Sequence, residues 1–168
     1  MENFIYRENM TIYFDYNKPM VLQALRYHFI SRKEIRFMII LVNVFAILSF
    51  VLYMLKYISP FAFFVGALLW IILMISFWFL MPSIIYKRTA TFKDKFSMRF
   101  EENQFTLEHE RGSRSWPWSS LSTYMESPNF FHLYFDTRSF FLVPKSGCKN
   151  DDEVYELRQI INSKVKKG

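Results

Sequence analysis

Two long apolar segments without a charged residue constrain this 168-residue chain more than any other feature. They run from Phe37 to Leu55 and from Phe61 to Met81. As helices they would be roughly 28 and 31 Å long, close to the hydrocarbon thickness of a bilayer, which is about 30 Å. Both are apolar on every helical face, and a chain this small could not surround two such helices. The sequence therefore predicts two transmembrane helices.

The residues around these segments predict a hairpin and its orientation. Only Lys56–Pro60 separates the two segments, so the helices must be antiparallel. The loop has one basic residue, whereas eight flank the hairpin: Arg26, Arg32, Lys33, Arg36, Lys87, Arg88, Lys93 and Lys95. By the positive-inside rule, we expect a multi-pass protein of the cytoplasmic (inner) membrane with both termini in the cytoplasm. The candidate topology or lipid-headgroup residues are Arg32, Lys33, Arg36, Lys87 and Arg88.

The N-terminal part predicts a strand and a helix. Met10–Asp15 is rich in β-forming residues and partly alternates. Asn17 is a candidate helix cap with Pro19 in the first turn, and no breaker separates this helix from the first apolar segment. The two helices are therefore either continuous or bent at the basic stretch. We assign residues 1–36 to this part, 37–86 to the hairpin and 87–168 to a β domain.

Beyond the hairpin, the apolar residues alternate with a period of two. This pattern predicts six strands, and the N-terminal segment would add a seventh. Asn150 is a candidate cap of a final helix, in which Val154, Leu157, Ile160 and Ile161 share one face. The predicted fold class is an α+β membrane protein, in which a curved sheet closed by one helix accompanies the hairpin. The predicted strands fall at 92–100, around Phe105 and Leu107, and at 114–118, 121–126, 130–136 and 139–143.

The residues that most chemistry requires are scarce and scattered. The chain has one cysteine, Cys148, and three histidines, His28, His109 and His132, without zinc-binding spacing. Four dispersed glycines exclude a phosphate loop and a dinucleotide fingerprint. His109 lies between two glutamates, but neighbouring strand residues point to opposite faces. We therefore expect no catalytic site, no metal and no cofactor, and because the basic residues flank the hairpin, no nucleic acid partner.

Two tryptophans form the candidate partner-docking site. Trp118 has the pattern of a core residue or of a ligand contact. Trp116 precedes it by two residues, so it either shares the core or is turned outward by Pro117. Proline within a strand indicates a sheet edge or a strand end. An exposed edge beside aromatic side chains could accept a strand from a partner protein.

Several short motifs resemble those of YcxB-like membrane proteins. They are Trp118-Ser119-Ser120-Leu121, the aromatic run from Phe130 to Phe135, and Leu142-Val143-Pro144-Lys145. The resemblance implies a domain similar to bacterial pleckstrin-homology-like folds, with seven strands and a capping helix. It implies little about activity.

The function that we expect is a non-enzymatic, membrane-anchored protein-interaction module that serves as an adaptor or regulator. Its partners would be the lipid bilayer and either another protein or further copies of the chain. One alternative is a toxin-neutralising immunity protein, and the other is a lipid-binding accessory protein.

Overall fold

The computed structural model describes residues 9–89, 94–137 and 139–168, which form two units. One unit comprises the described residues of Met1–Ala24 and Ala90–Gly168, and the other comprises Leu25–Thr89. The first unit is thus built from two stretches of chain that the second unit interrupts.

The second unit is helical and includes both apolar segments. Helix α1, Lys18–Ser31, begins in the first unit and ends in the second, before Arg32, whose backbone is extended. Helix α2 covers Lys33–Met54. Helix α3, Pro60–Ile75, continues through a π-helical turn, Ser76–Leu80, into α4, Met81–Arg88. Lys33–Met54 and Pro60–Arg88 are long and apolar enough to cross a membrane. Of the two expected arrangements, a bend at the basic stretch is the one observed.

Backbone hydrogen bonds close the connection between α2 and α3. The amide of Lys56 donates to the carbonyl of Tyr53 at 3.0 Å, and that of Tyr57 donates to Leu52 at 2.9 Å. This pair of bonds requires a left-handed residue after the helix, and Lys56 has a φ of 61°. Ser59 caps the next helix by accepting from the amide of Ala62 at 3.2 Å. The turn therefore satisfies groups that the helix ends leave without intrahelical partners.

A proline and an arginine explain the π-helical turn. In a regular helix the amide of residue 82 would donate to the carbonyl of Trp78, but Pro82 has no N–H. Arg26 Nε donates to that carbonyl at 3.0 Å. The guanidinium of Arg26 also lies 5.5 Å from the ring centroids of Trp78 and Phe79. Arg26 thus compensates for a hydrogen bond that the proline removes.

We predict that Arg26 and Pro82 are energetically coupled. Arg26→Met should lower the free energy of unfolding by about 1–3 kcal/mol, because a charge-assisted hydrogen bond is lost. In a Pro82→Ala background the loss should be smaller by about 1 kcal/mol, because the new amide can donate to the Trp78 carbonyl. The measurement is a double-mutant cycle from SDS-induced unfolding in detergent micelles, followed by circular dichroism. Strictly additive losses would contradict the prediction.

The first unit contains two antiparallel sheets and a C-terminal helix. The four-stranded sheet has the order β1 (Met10–Phe14), β2 (Phe96–Phe100), β3 (Gln104–His109) and β4 (Gly112–Pro117). The three-stranded sheet has the order β5 (Thr123–Glu126), β6 (Phe130–Tyr134) and β7 (Phe140–Pro144). Helix α5 covers Asp151–Lys164. The seven strands and the final helix agree with the α+β class expected from the sequence.

The core of this unit joins the inner faces of both sheets to α5. β1 pairs with β2 in a register that sets Ile12 opposite Met98, and both side chains are buried. Asn150 caps α5 by accepting from the amide of Glu153 at 2.9 Å, as the sequence predicted. The helix then buries Leu157 and Ile161 completely.

Some boundaries differ from those expected. The strand predicted at 92–100 begins at Phe96, and its first residues, 92 and 93, lie outside the described residues. The strand predicted at 114–118 begins at Gly112 and ends at Pro117, because Trp118 enters a 3₁₀ turn, Trp118–Ser120. β5 begins at Thr123 rather than at residue 121. Of the turn expected at 136–138, position 138 is also outside the described residues.

An ion cluster around Glu126 connects β5, α5 and the turn after β7. Its carboxylate accepts from Lys145 Nζ at 2.6 Å and from Arg158 Nη2 at 2.8 Å. Both cations also lie over the ring of Phe131, at 5.2 and 5.9 Å from its centroid. The hydrogen bond from Arg158, followed by that from Lys145, lowers the pKa of Glu126 from 4.5 to about 2.

We predict that this cluster makes stability depend on pH in the acidic range. Because the folded-state pKa of Glu126 is lowered, its stabilisation is complete above about pH 4.5 and is lost as the pH falls towards 2. Glu126→Gln should lower the free energy of unfolding by about 1–3 kcal/mol at pH 7. At pH 3 the difference from the unmodified chain should be smaller. The measurement is urea unfolding of the full-length chain in non-ionic detergent, followed by tryptophan fluorescence. An equal difference at both pH values would contradict it.

Candidate functional site

Other parts of the chain meet the outer edges of β1 and β7. The 3₁₀ turn Lys145–Gly147 packs against β1 so closely that a Cβ at Gly147 would lie 3.2 Å from the carbonyl oxygen of Tyr13. On β7, the carbonyl of Leu142 accepts from the hydroxyl of Tyr16 at 2.8 Å. Neither edge is therefore fully open to a further strand.

The residues after α5 cover the outer edge of β5. The amide of Tyr124 donates to the carbonyl of Lys166 at 2.9 Å, and the amide of Gly168 donates to the carbonyl of Tyr124 at 2.9 Å. This segment thus pairs with β5 as a short parallel strand. Val165 is buried beside it, which anchors the segment to the core.

The outer edge of β4 has no backbone hydrogen bond from the part of the chain that the structure describes. At the end of the β2–β3 pair, the amide of Glu101 donates to the carbonyl of Gln104. At the end of the β3–β4 pair, the amide of Trp118 donates to the carbonyl of Asn103. Since antiparallel bonds alternate along a strand, the backbone groups of residues 113, 115 and 117 point away from β3. Ser113 and Ser115 are exposed, and their amides donate no hydrogen bond to another described residue. Two N–H donors at this edge are therefore available to a partner strand.

Trp116 lies beside this edge, on the inner face of β4. Its half-buried ring stacks on Phe105 with centroids 5.7 Å apart and meets the edge of Phe141 at 5.0 Å. Arg114, two residues earlier on the same face, places its guanidinium 5.1 Å from the centre of the Trp116 ring. Trp116 thus joins the inner faces of the two sheets at the end of the core and leaves part of its ring at the surface.

A cleft of about 410 Å³ opens beside the same residues. Its lining is mixed, with apolar side chains that include Leu107, Trp116 and Phe141 and charged or polar ones that include Asp94, His109, Arg111 and Arg114. His109 Nδ1 accepts from the amide of Arg111 at 3.0 Å, which fixes the turn between β3 and β4. The edge of β4 therefore combines backbone donors, an aromatic surface and positive charge.

Trp118 occupies a different environment from Trp116. Its ring is 5% exposed and stacks on Phe100 with centroids 6.1 Å apart. Its Nε1 donates to the carbonyl of Glu101 at 2.9 Å, across the mouth of the β2–β3 turn. Trp118 therefore lies in the core, whereas Trp116 lies between the core and the surface. Of the two, Trp116 is the one that could contact a partner directly.

Residues 100–161 match the model of a family described as YcxB-like protein. This segment is YcxB-like. The match confirms the resemblance based on Trp118, the aromatic run and Pro144-Lys145. The YcxB-like segment extends from the end of β2 into α5, so it contains β4 and Trp116 but not β1 or the two long apolar helices. No curated protein and no solved structure matches the chain.

The candidate topology residues lie in the helical unit, outside the YcxB-like segment. Lys33 begins α2 and Arg36 lies in its first turn, whereas Lys87 and Arg88 end α4, and all four are exposed. Arg32 is half-buried in the break between α1 and α2. Cations at a helix C-terminus are favoured by the helix dipole, which gives Lys87 and Arg88 a local stabilising role besides any topological one.

The residue types that often carry out catalysis or bind metals lie in structural environments here. In the YcxB-like segment, His132 is fully buried and its Nε2 lies 3.0 Å from the Ser127 hydroxyl. Burial raises the pKa of the Cys148 thiol to about 11, so the thiol is protonated at neutral pH. Among the described residues, no group of three or more potential metal ligands occurs.

We predict different costs for the two tryptophans. Trp118→Ala should lower the free energy of unfolding by about 3–5 kcal/mol, because it opens a cavity in the core and removes a hydrogen bond. Trp116→Ala should cost about half as much, because its ring is only partly buried. Urea unfolding of the full-length chain in non-ionic detergent gives both values. Equal costs would show that Trp116 is as much a core residue as Trp118.

Proposed function

We propose that this chain is a non-enzymatic, membrane-anchored protein-interaction module whose partner adds a strand to the free edge of β4. The observation that carries the proposal is the contrast among the four sheet edges. The chain itself contacts the other three, whereas among the described residues no hydrogen bond engages the outward amides of Ser113 and Ser115. Exposed sheet edges pair readily with other chains, and proteins use them to bind extended segments.

The proposed anchor is the pair of apolar helices. In both candidate spans, the most apolar stretches are not buried within the structure at all. Uncovered apolar surface of this extent requires a lipid or protein environment. The positive charges that flank the helices favour an orientation with both ends in the cytoplasm, at the cytoplasmic membrane.

The pairing of β1 with β2 supports an even number of spans. β1 precedes the two apolar helices and β2 follows them, yet the strands are neighbours in one sheet. Because a sheet cannot form across a bilayer, both flanks of the helical unit must lie on the same side. Two spans satisfy this requirement and one span does not.

The proposed domain type is a pleckstrin-homology-like fold. Two antiparallel sheets of four and three strands, followed by a helix that caps the core, support this assignment. The fold itself specifies no ligand, so the docking proposal rests on the edge of β4. An immunity protein could use the same edge against a toxin. A lipid-binding role would instead depend on the exposed cations Lys33, Arg36, Lys87 and Arg88.

We predict that Ser115→Pro weakens docking without unfolding the domain. The change removes one outward amide, and Pro117, in the same outward row, shows that β4 accommodates proline at such a position. The full-length chain in nanodiscs of phosphatidylethanolamine and phosphatidylglycerol would be screened against random twelve-residue peptides displayed on phage. Binding of selected peptides should weaken at least about tenfold, since roughly 1.4 kcal/mol is lost with the hydrogen bond and close backbone approach.

Ser115→Ala is the matched control, because it removes the side-chain contact with Thr106 Oγ1 at 2.8 Å and retains the amide. Its affinity for the same peptides should stay within about twofold. Hydrogen exchange should show protection of residues 113–117 on binding. Peptides that bind Ser115→Pro undiminished, or a failure to select any peptide, would overturn the docking proposal.

A further inference from the structure

Two arginines beside the free edge of β4 have no carboxylate partner among the described residues. Arg111 lies in the turn before β4 and Arg114 within it. The ion pairs in the described parts of the chain use other cations, namely Arg99, Lys145, Lys149 and Arg158. Both arginines line the cleft together with the acidic Asp94, so the charged side chains there carry a net positive charge that a ligand can meet.

Trp116 holds Arg114 in a defined position. The guanidinium lies over the ring at 5.1 Å, on the inner face of β4 and beside the cleft. Such a contact stabilises a cation and limits its rotamers. Less side-chain entropy is then lost when a carboxylate binds, and the planar guanidinium can accept it through two hydrogen bonds.

A strand added to β4 would place its side chains opposite those of β4 on each face. A residue opposite Arg114 would meet a guanidinium, which favours aspartate or glutamate. A residue two positions away would lie opposite Gly112, where a Cβ would meet no atom within 4 Å. That space adjoins the cleft, whose apolar lining residues include Leu107 and Trp116.

We propose that the occupant of the β4 edge is an extended acidic segment of a partner protein. An aspartate or glutamate pairs with Arg114, and an apolar side chain two residues away enters the cleft. This inference rests on the proposed function and specifies its partner. A second copy of β4 fits less well in the register that pairs Arg114 with itself, because two arginines then lie opposite each other, which is destabilising.

The test is the composition of the peptides selected on the full-length chain in nanodiscs, together with charge reversal at Arg114. Selected peptides should carry aspartate or glutamate two residues from an apolar residue. Their affinity should fall at least tenfold for Arg114→Glu and should fall as ionic strength rises. Arg114→Lys should give an intermediate loss, because it keeps the charge but not the planar group.

Lys149→Glu provides the matched control, since it changes the net charge equally at an exposed residue beyond the turn that covers β1. It should leave affinity within about twofold. This inference would be overturned, and the docking proposal retained, by peptides that lose affinity for Ser115→Pro but lack acidic residues. Peptides that lose affinity for Ser115→Pro but bind Arg114→Glu with unchanged affinity would have the same meaning. Peptides insensitive to Ser115→Pro would overturn both. A dimer in analytical ultracentrifugation that Ser115→Pro dissociates would assign the edge to a second copy instead.

Discussion

The pairing of β1 with β2 is the constraint on which the rest of the structure depends. These neighbouring strands are separated in sequence by residues 15–95, which include both apolar helices. On the proposed topology, the sheet cannot close until both helices have entered the membrane. Closing so long a loop costs entropy, which grows slowly with length, so the bilayer anchor can help by holding both ends at one surface. Membrane insertion and folding of the β unit are then successive steps.

Within each unit, a polar side chain compensates for a local irregularity in the backbone. Arg26 donates to the Trp78 carbonyl, which receives no backbone hydrogen bond from Pro82 because proline has no N–H. Trp118, where the chain leaves β4, donates its ring N–H to the carbonyl of Glu101. These contacts let the chain depart from regular structure without leaving strong hydrogen-bonding groups unmet, a requirement that is strictest where water is absent.

Local patterns in the sequence predicted the elements well, because period-two alternation and helix caps depend on neighbouring residues. They identified the seven strands, the cap at Asn150 and the bend as one of two alternatives for the basic stretch. They could not predict which edges are covered. The contacts of Gly147 with β1, and of Lys166 with Tyr124, join residues far apart in sequence. Proline at position 117 did indicate an edge, although not that other parts of the chain contact the remaining edges.

The contacts at the outer edges of β1, β5 and β7 have a consequence for the stoichiometry of the proposed complex. A protein with two open strand edges can add copies at both and grow into a fibre, whereas one with a single open edge reaches its limit after one addition. Contacts at the other edges come from Lys166–Gly168 on β5, the turn at Gly147 on β1 and Tyr16 on β7. On the proposed docking, they leave one edge, that of β4, for a partner strand. The complex formed through β4 is expected to be one-to-one and self-terminating, a useful property at a crowded membrane surface.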